Sequence, residues 1–145
     1  MGVTTAMCTS FKGELLGGTH DLDTNTIKLA LIKSGESGTY GAATTNYSDV
    51  TGNSDEASGT NYSTGGNTLG SATISTSGTT AILDFADTTF SNATVTARGC
   101  LIYNDTNSDK AVCAIDFGGD KTSTAGDFTI VFPSATATGA IIRLA

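Results

Sequence analysis

One histidine, three cysteines and eleven aspartates against three glutamates are the residues of this chain that could do chemistry. A Ser-His-Asp or Cys-His arrangement would have to be built on His20, the one imidazole able to move a proton near neutral pH. Neither a nucleophile elbow nor a catalytic-cysteine signature accompanies it. His20 sits beside Asp21 in a glycine-rich turn, where a solvated or loop-bracing role is the simpler reading.

Asp21, Asp23 and Asn25 offer oxygen ligands at alternate positions, the first half of a calcium loop. An EF-hand then needs a glycine and, at its twelfth position, a bidentate glutamate, where this chain has Thr26 and Ile32. A turn capped by Asx side chains fits the triplet better. Asp84, Asp87, Asp116, Asp120 and Asp127 could supply a glycosidase carboxylate pair, yet Asp is an ordinary turn residue and no strand pattern sets two face to face. No cofactor is expected.

Cys8, Cys100 and Cys113 have no C-x-x-C spacing, which argues against zinc and thioredoxin-like chemistry. Folding the chain about Asn107 brings Cys100 opposite Cys113. A directly opposed pair without ladder hydrogen bonds has Cα atoms about 4.5 Å apart, within disulfide reach. Two readings stay open, a cross-strand disulfide or two small buried hydrophobes. Cys8 is then the odd thiol, free or shared with a neighbouring subunit.

The elements that must position these groups follow from composition. Threonine (27) and serine (14) supply 41 of the 145 residues, glycine 18, and Glu, Lys, Arg and Gln together only ten. Such a chain is starved of helix formers, and threonine, stiff at χ1, fits a pleated and half-buried surface. Residues Phe11–Leu16 have the makings of one helical turn, cut short by Gly17-Gly18. Ile27–Ile32 is a strand with Ile27, Leu29 and Leu31 on one face. Ala72–Ser75 and Ala81–Phe85 read as a hairpin about Gly78, and Val95–Tyr103 with Ala111–Phe117 as a longer one. Phe128–Phe132, ended by Pro133, and Ala140–Leu144 complete the set. The pattern predicts an all-β antiparallel β-sandwich, jelly-roll-like, formed by residues 1–145 as a single domain. Its core draws on Ile27, Leu29, Leu31, Leu69, Ile74, Leu83, Phe85, Val95, Leu101, Tyr103, Val112, Ile115, Phe128, Ile130, Phe132 and Ile142.

Two segments fall outside that pattern. Residues 1–20 read as an extended N-terminal arm, and residues 34–67, with Val50 almost their only aliphatic side chain, as a long projecting loop. Arms and loops of this kind order against partners, so Cys8, Phe11, Tyr40, Tyr47 and Tyr62 are the expected intersubunit contacts.

A formal net charge of −7 with scattered basic residues disfavours nucleic acid and anionic membranes, which need a basic stripe. Neither a signal-peptide pattern nor an apolar run of membrane-spanning length is visible, so export and membrane insertion are not expected. The four Asn-x-Ser/Thr sequons, at Asn46, Asn61, Asn92 and Asn104, follow from composition rather than glycosylation.

Five segments in order resemble a group of small structural proteins of tailed bacteriophage particles: Leu22–Leu31, Asn61–Leu69, Ala81–Asp84, Thr96–Tyr103 and Ile115–Lys121. The second resembles that group's glycine-tyrosine-x-x-glycine-glycine-x-x-leucine motif, with Asn61 in place of the first glycine. The cysteines lie outside the pattern, and no catalytic residue carries over. The resemblance implies a virion protein, made in the host cytoplasm, that decorates or cements the outside of the capsid shell. Its partners would be the major capsid protein and further copies of itself. A neck, tail or baseplate component is the nearest alternative. A carbohydrate-binding adhesin is another, although the chain has no tryptophan and clusters only Tyr40, Tyr47 and Tyr62 as stacking platforms.

Overall fold

In the computed structural model, which describes residues 1–145, strands dominate and helix is confined to two short stretches. The chain runs β1 (Gly2–Val3), β2 (Ala6–Met7), α1 (Thr9–Leu16), β3 (Ile27–Lys33), β4 (Thr39–Tyr40), α2 (Ser48–Gly52), β5 (Asn67–Thr68), β6 (Thr73–Ser77), β7 (Thr80–Asp84), β8 (Thr88–Asn104), β9 (Lys110–Ile130) and β10 (Ile142–Leu144). The architecture is an all-β antiparallel sandwich, as the threonine-rich alternation predicts. A five-stranded sheet in the order β2-β9-β8-β3-β5 and a three-stranded sheet β10-β7-β6 share one core of 31 buried residues with α1 and the long connection between β3 and β5.

β3 is the keel of the larger sheet. It pairs with β8 from Ile27↔Asn104 to Lys33↔Ala97, and side chains on both of its faces are buried. Cross-strand partners share a face, so Ile27, Leu29 and Leu31 lie with Asn104, Ile102 and Cys100, while Ala30 and Ile32 lie with Leu101 and Gly99. A strand buried on both faces needs two covering layers. The 34–67 connection helps to supply one: Tyr47 stacks on Tyr103, whose partner across the ladder is Lys28, with ring centroids 4.5 Å apart.

β6 and β7 form the first expected hairpin, joined by a two-residue turn with Gly78 at φ +61 in its first central position. Ile74, placed in the core by its sequence, is 54% exposed, because β6 is the outer strand of the small sheet and is exposed along its whole length. The second hairpin is far longer than the sequence suggests. Gly118-Gly119 forms an irregularity rather than a turn, so Phe117 and Phe128 belong to one strand, β9. Four shifts of register along β8 and β9 bend and twist the pair.

Residues 1–20 are not a free arm. β1 pairs with β4, β2 pairs with β9, and Cys8 and Phe11 are completely buried. The reason is physical: the apolar residues Val3, Cys8 and Phe11, too sparse to form a core of their own, complete the main one. Residues 34–67 are long and mostly irregular, as expected, but they lie on the sheet instead of projecting. Tyr40 and Val50 are buried, and Tyr47 and Tyr62 pack against the core. The five residues expected to meet a neighbour therefore meet their own domain.

Candidate functional site

The 34–67 connection is held by two adjacent carboxylates that no sequence motif announces. The Asp55 side chain is sealed from water and accepts hydrogen bonds from the Gly38 amide at 2.7 Å, the Tyr40 hydroxyl at 2.6 Å and the Ser37 amide at 3.0 Å. The Lys33 ammonium stands 3.2 Å away. Burial works against the charged form of Asp55. The Tyr40, Ser37, Gly38 and Lys33 donors outweigh it and hold the carboxyl well below its usual range. Burial and the bond to Asp55 push the Tyr40 phenol up to about 12. Glu56 is the second clamp. It accepts from the Tyr47 hydroxyl, from the Tyr62 hydroxyl at 2.8 Å and from the Gly65 amide at 2.7 Å.

These carboxylates sit where the connection meets β3. The Lys33 amide donates to the Asp55 carbonyl and the Ala57 amide to the Leu31 carbonyl, both at 2.8 Å. Tyr62 accepts from the Leu31 amide at 2.9 Å, and Tyr103 donates to the Gly65 carbonyl at 2.7 Å. Gly66 must be glycine: at φ +74, a Cβ would stand 1.8 Å from the Leu29 carbonyl oxygen. The tyrosine and glycines of the Asn61–Leu69 segment thus lock the connection to the sheet.

His20 is a brace. Its side chain is buried against Phe11, with ring centroids 4.9 Å apart, and Nδ1 lies 3.0 Å from the Asn104 amide nitrogen. Nε2 is 3.8 Å from Glu14, which Lys110 also approaches, at 3.1 Å. Burial pushes the imidazole pKa down, and Glu14 offsets this only in part. The Asp21-Asp23-Asn25 turn is likewise structural, since Asn25 Oδ1 accepts from Asn104 at 2.9 Å, from Asn107 at 2.8 Å and from the Asp21 amide at 3.1 Å.

The remaining aspartates are dispersed among local partners. Asp116 accepts from Arg98 Nε at 3.0 Å, Asp87 from the Phe132 amide at 2.9 Å, Asp127 from the Asn92 amide at 3.1 Å, and Asp120 from the Ser34 hydroxyl. Asp84 lies on β7 in the other sheet. The cysteines are free thiols, all buried. Cys100 faces Ile115 and Cys113 faces Ile102, so the two are diagonal neighbours rather than an opposed pair. Diagonal residues are roughly 7–8 Å apart, beyond what a disulfide spans without backbone movement. Burial pushes the Cys8 thiol up to about 11 and the Cys113 thiol up to about 12, which keeps both protonated.

The largest open concavity lies elsewhere. Ile115, Phe117, Phe128, Ile130, Phe132 and Ile141 line a groove of about 590 Å³ along β9 and the segment that follows it. β2 flanks β9 only at Cys113 and Ala114, so from Phe117 onward the outer side of β9 carries no strand. The signal for this groove lies in the apolar residues Phe117, Phe128, Ile130 and Phe132, but that the first three share a strand across the Gly118-Gly119 irregularity is not legible in the local pattern. No helix of the protein is long and apolar enough to cross a membrane. Comparison of the chain with protein-family models, with curated proteins and with solved structures finds no match.

Proposed function

We propose that the protein is a structural component of a tailed-phage particle, a decoration or cement protein that binds the outside of the capsid shell and stabilises it. The observation that carries this reading is the role of the segments resembling such proteins. Leu22–Leu31 contains most of the keel strand, Asn61–Leu69 locks the connection onto it, and Thr96–Tyr103 and Ile115–Lys121 lie on β8 and β9. What resembles the phage group is thus the framework itself.

The chemistry of the candidate residues supports a non-enzymatic role. His20 is spent on bracing, Asp55 and Glu56 on clamping, and the other aspartates on separate turns and strands. Such a body acts by binding many times over a symmetric lattice, where modest contacts sum to high avidity. The major capsid protein is the proposed partner, and the virion surface the proposed location.

The test is the copy number and position of the chain in purified particles, from quantitative mass spectrometry and electron microscopy. Hundreds of copies on the shell are expected. Six or twelve copies at one vertex would move the protein to the neck or tail.

A further inference from the structure

From Phe117 to Ile130 the outer edge of β9 has no strand beside it. A long one-sided edge is a template for another chain, and natural proteins blunt such edges with proline, lysines or very short strands. This stretch has no proline and a single lysine, Lys121. Its kink at Ala125, with φ +46, works against flat strand-on-strand pairing. Contact is left to the apolar groove beside the edge, whose lining includes Val131, 72% exposed.

Only two charged residues line that groove, Lys121 and Asp127. Both are exposed and neither takes part in an intrachain ion pair. Lys28, Lys33, Arg98 and Lys110 are all committed to carboxylates, so Lys121 is one of three cations left free, with Lys12 and Arg143. In a chain of net charge −7, copies repel unless cations are placed at the contact. Lys121 and Asp127 line the same groove with opposite charges. A twofold axis passing between them brings each lysine to the aspartate of the other copy, the self-complementarity that an isologous interface requires.

We propose that the groove along β9 is a self-association surface pairing two copies of the chain about a twofold axis that passes between Lys121 and Asp127, with Lys121 of each copy against Asp127 of the other. The inference concerns the free protein and stands apart from the shell reading, so the failure of either leaves the other in place.

Sedimentation equilibrium of the purified full-length chain tests it. The wild type should form a reversible dimer. Lys121→Asp and Asp127→Lys should each weaken dimerisation by roughly tenfold or more, since like charges then meet at both symmetric contacts. An equimolar mixture of the two variants should recover dimers, because one copy presents acid at both positions and the other base at both. Val131→Asp should weaken the dimer without disturbing the core, and circular dichroism of each variant confirms that it is folded. A wild type that stays monomeric to millimolar concentration, a trimer, a mixture that fails to recover dimers, or a dimer indifferent to all three substitutions would overturn the proposal.

Discussion

A carboxylate sealed from water and met by donors from four residues, Ser37, Gly38, Tyr40 and Lys33, is an exacting requirement for this chain to meet. Asparagine keeps one acceptor oxygen but sets an NH2 donor where the other accepted and leaves Lys33 without its counter-charge, so Asp55→Asn should cost roughly 3 kcal/mol by urea unfolding at neutral pH. The sign of its pH dependence follows from linkage. Because the folded carboxyl is held below its usual range, the unfolded chain takes up its proton first as pH falls. The stabilisation from Asp55 is complete above about pH 5 and declines as acid is added through the ordinary carboxylate range. His20 acts in the same direction at higher pH: its buried imidazole resists a proton that the unfolded chain accepts near about pH 6.5, so stability falls as pH drops below that value. In urea midpoints measured against pH, Asp55→Asn should flatten the acid limb and His20→Gln the limb near pH 6. Profiles parallel to wild type would contradict these assignments. Gly66→Ala is the matching backbone test, expected to cost at least about 2 kcal/mol because both its φ and the Leu29 carbonyl oppose a side chain.

The elements show why part of this fold was legible in sequence. β3 announces itself through Ile27, Leu29 and Leu31, and the β6-β7 hairpin through Gly78, because local patterning suffices where a run of apolar residues marks a strand buried on both faces or a turn has one residue to satisfy. What stayed hidden depends on contacts far apart in the chain. Tyr40, Tyr47 and Tyr62 look like surface aromatics until Asp55 and Glu56 accept their hydroxyls. The register of β8 against β9 turns on irregularities that no alternation encodes, and this displaced Cys113 from its expected partner. The N-terminal segment was misread for the same reason: β1 and β2 are two residues each and exist only through pairing with β4 and β9. Deleting residues 1–8 removes both strands, Val3 and Cys8, and should therefore lower the urea midpoint rather than merely shorten a tail. Leu29→Ala, at a fully buried position on the keel, should cost about 2–5 kcal/mol. A truncation as stable as the full chain would return those residues to the status of an arm.

The whole molecule spends its polar chemistry inward, on clamps and braces, and leaves a threonine-rich exterior interrupted by the apolar groove along β9 and a smaller apolar hollow at the β10-β7-β6 sheet. That distribution suits a protein whose work is to bind and to hold. Whatever binds only an assembled shell stabilises the assembled state by mass action. The direct measurement is the temperature at which DNA leaves purified particles that carry this chain, compared with particles prepared without it. The account predicts release at a higher temperature when the chain is present, with the difference restored by adding the purified protein back to depleted particles. Equal release temperatures, with shells fully occupied in one preparation and bare in the other, would contradict it.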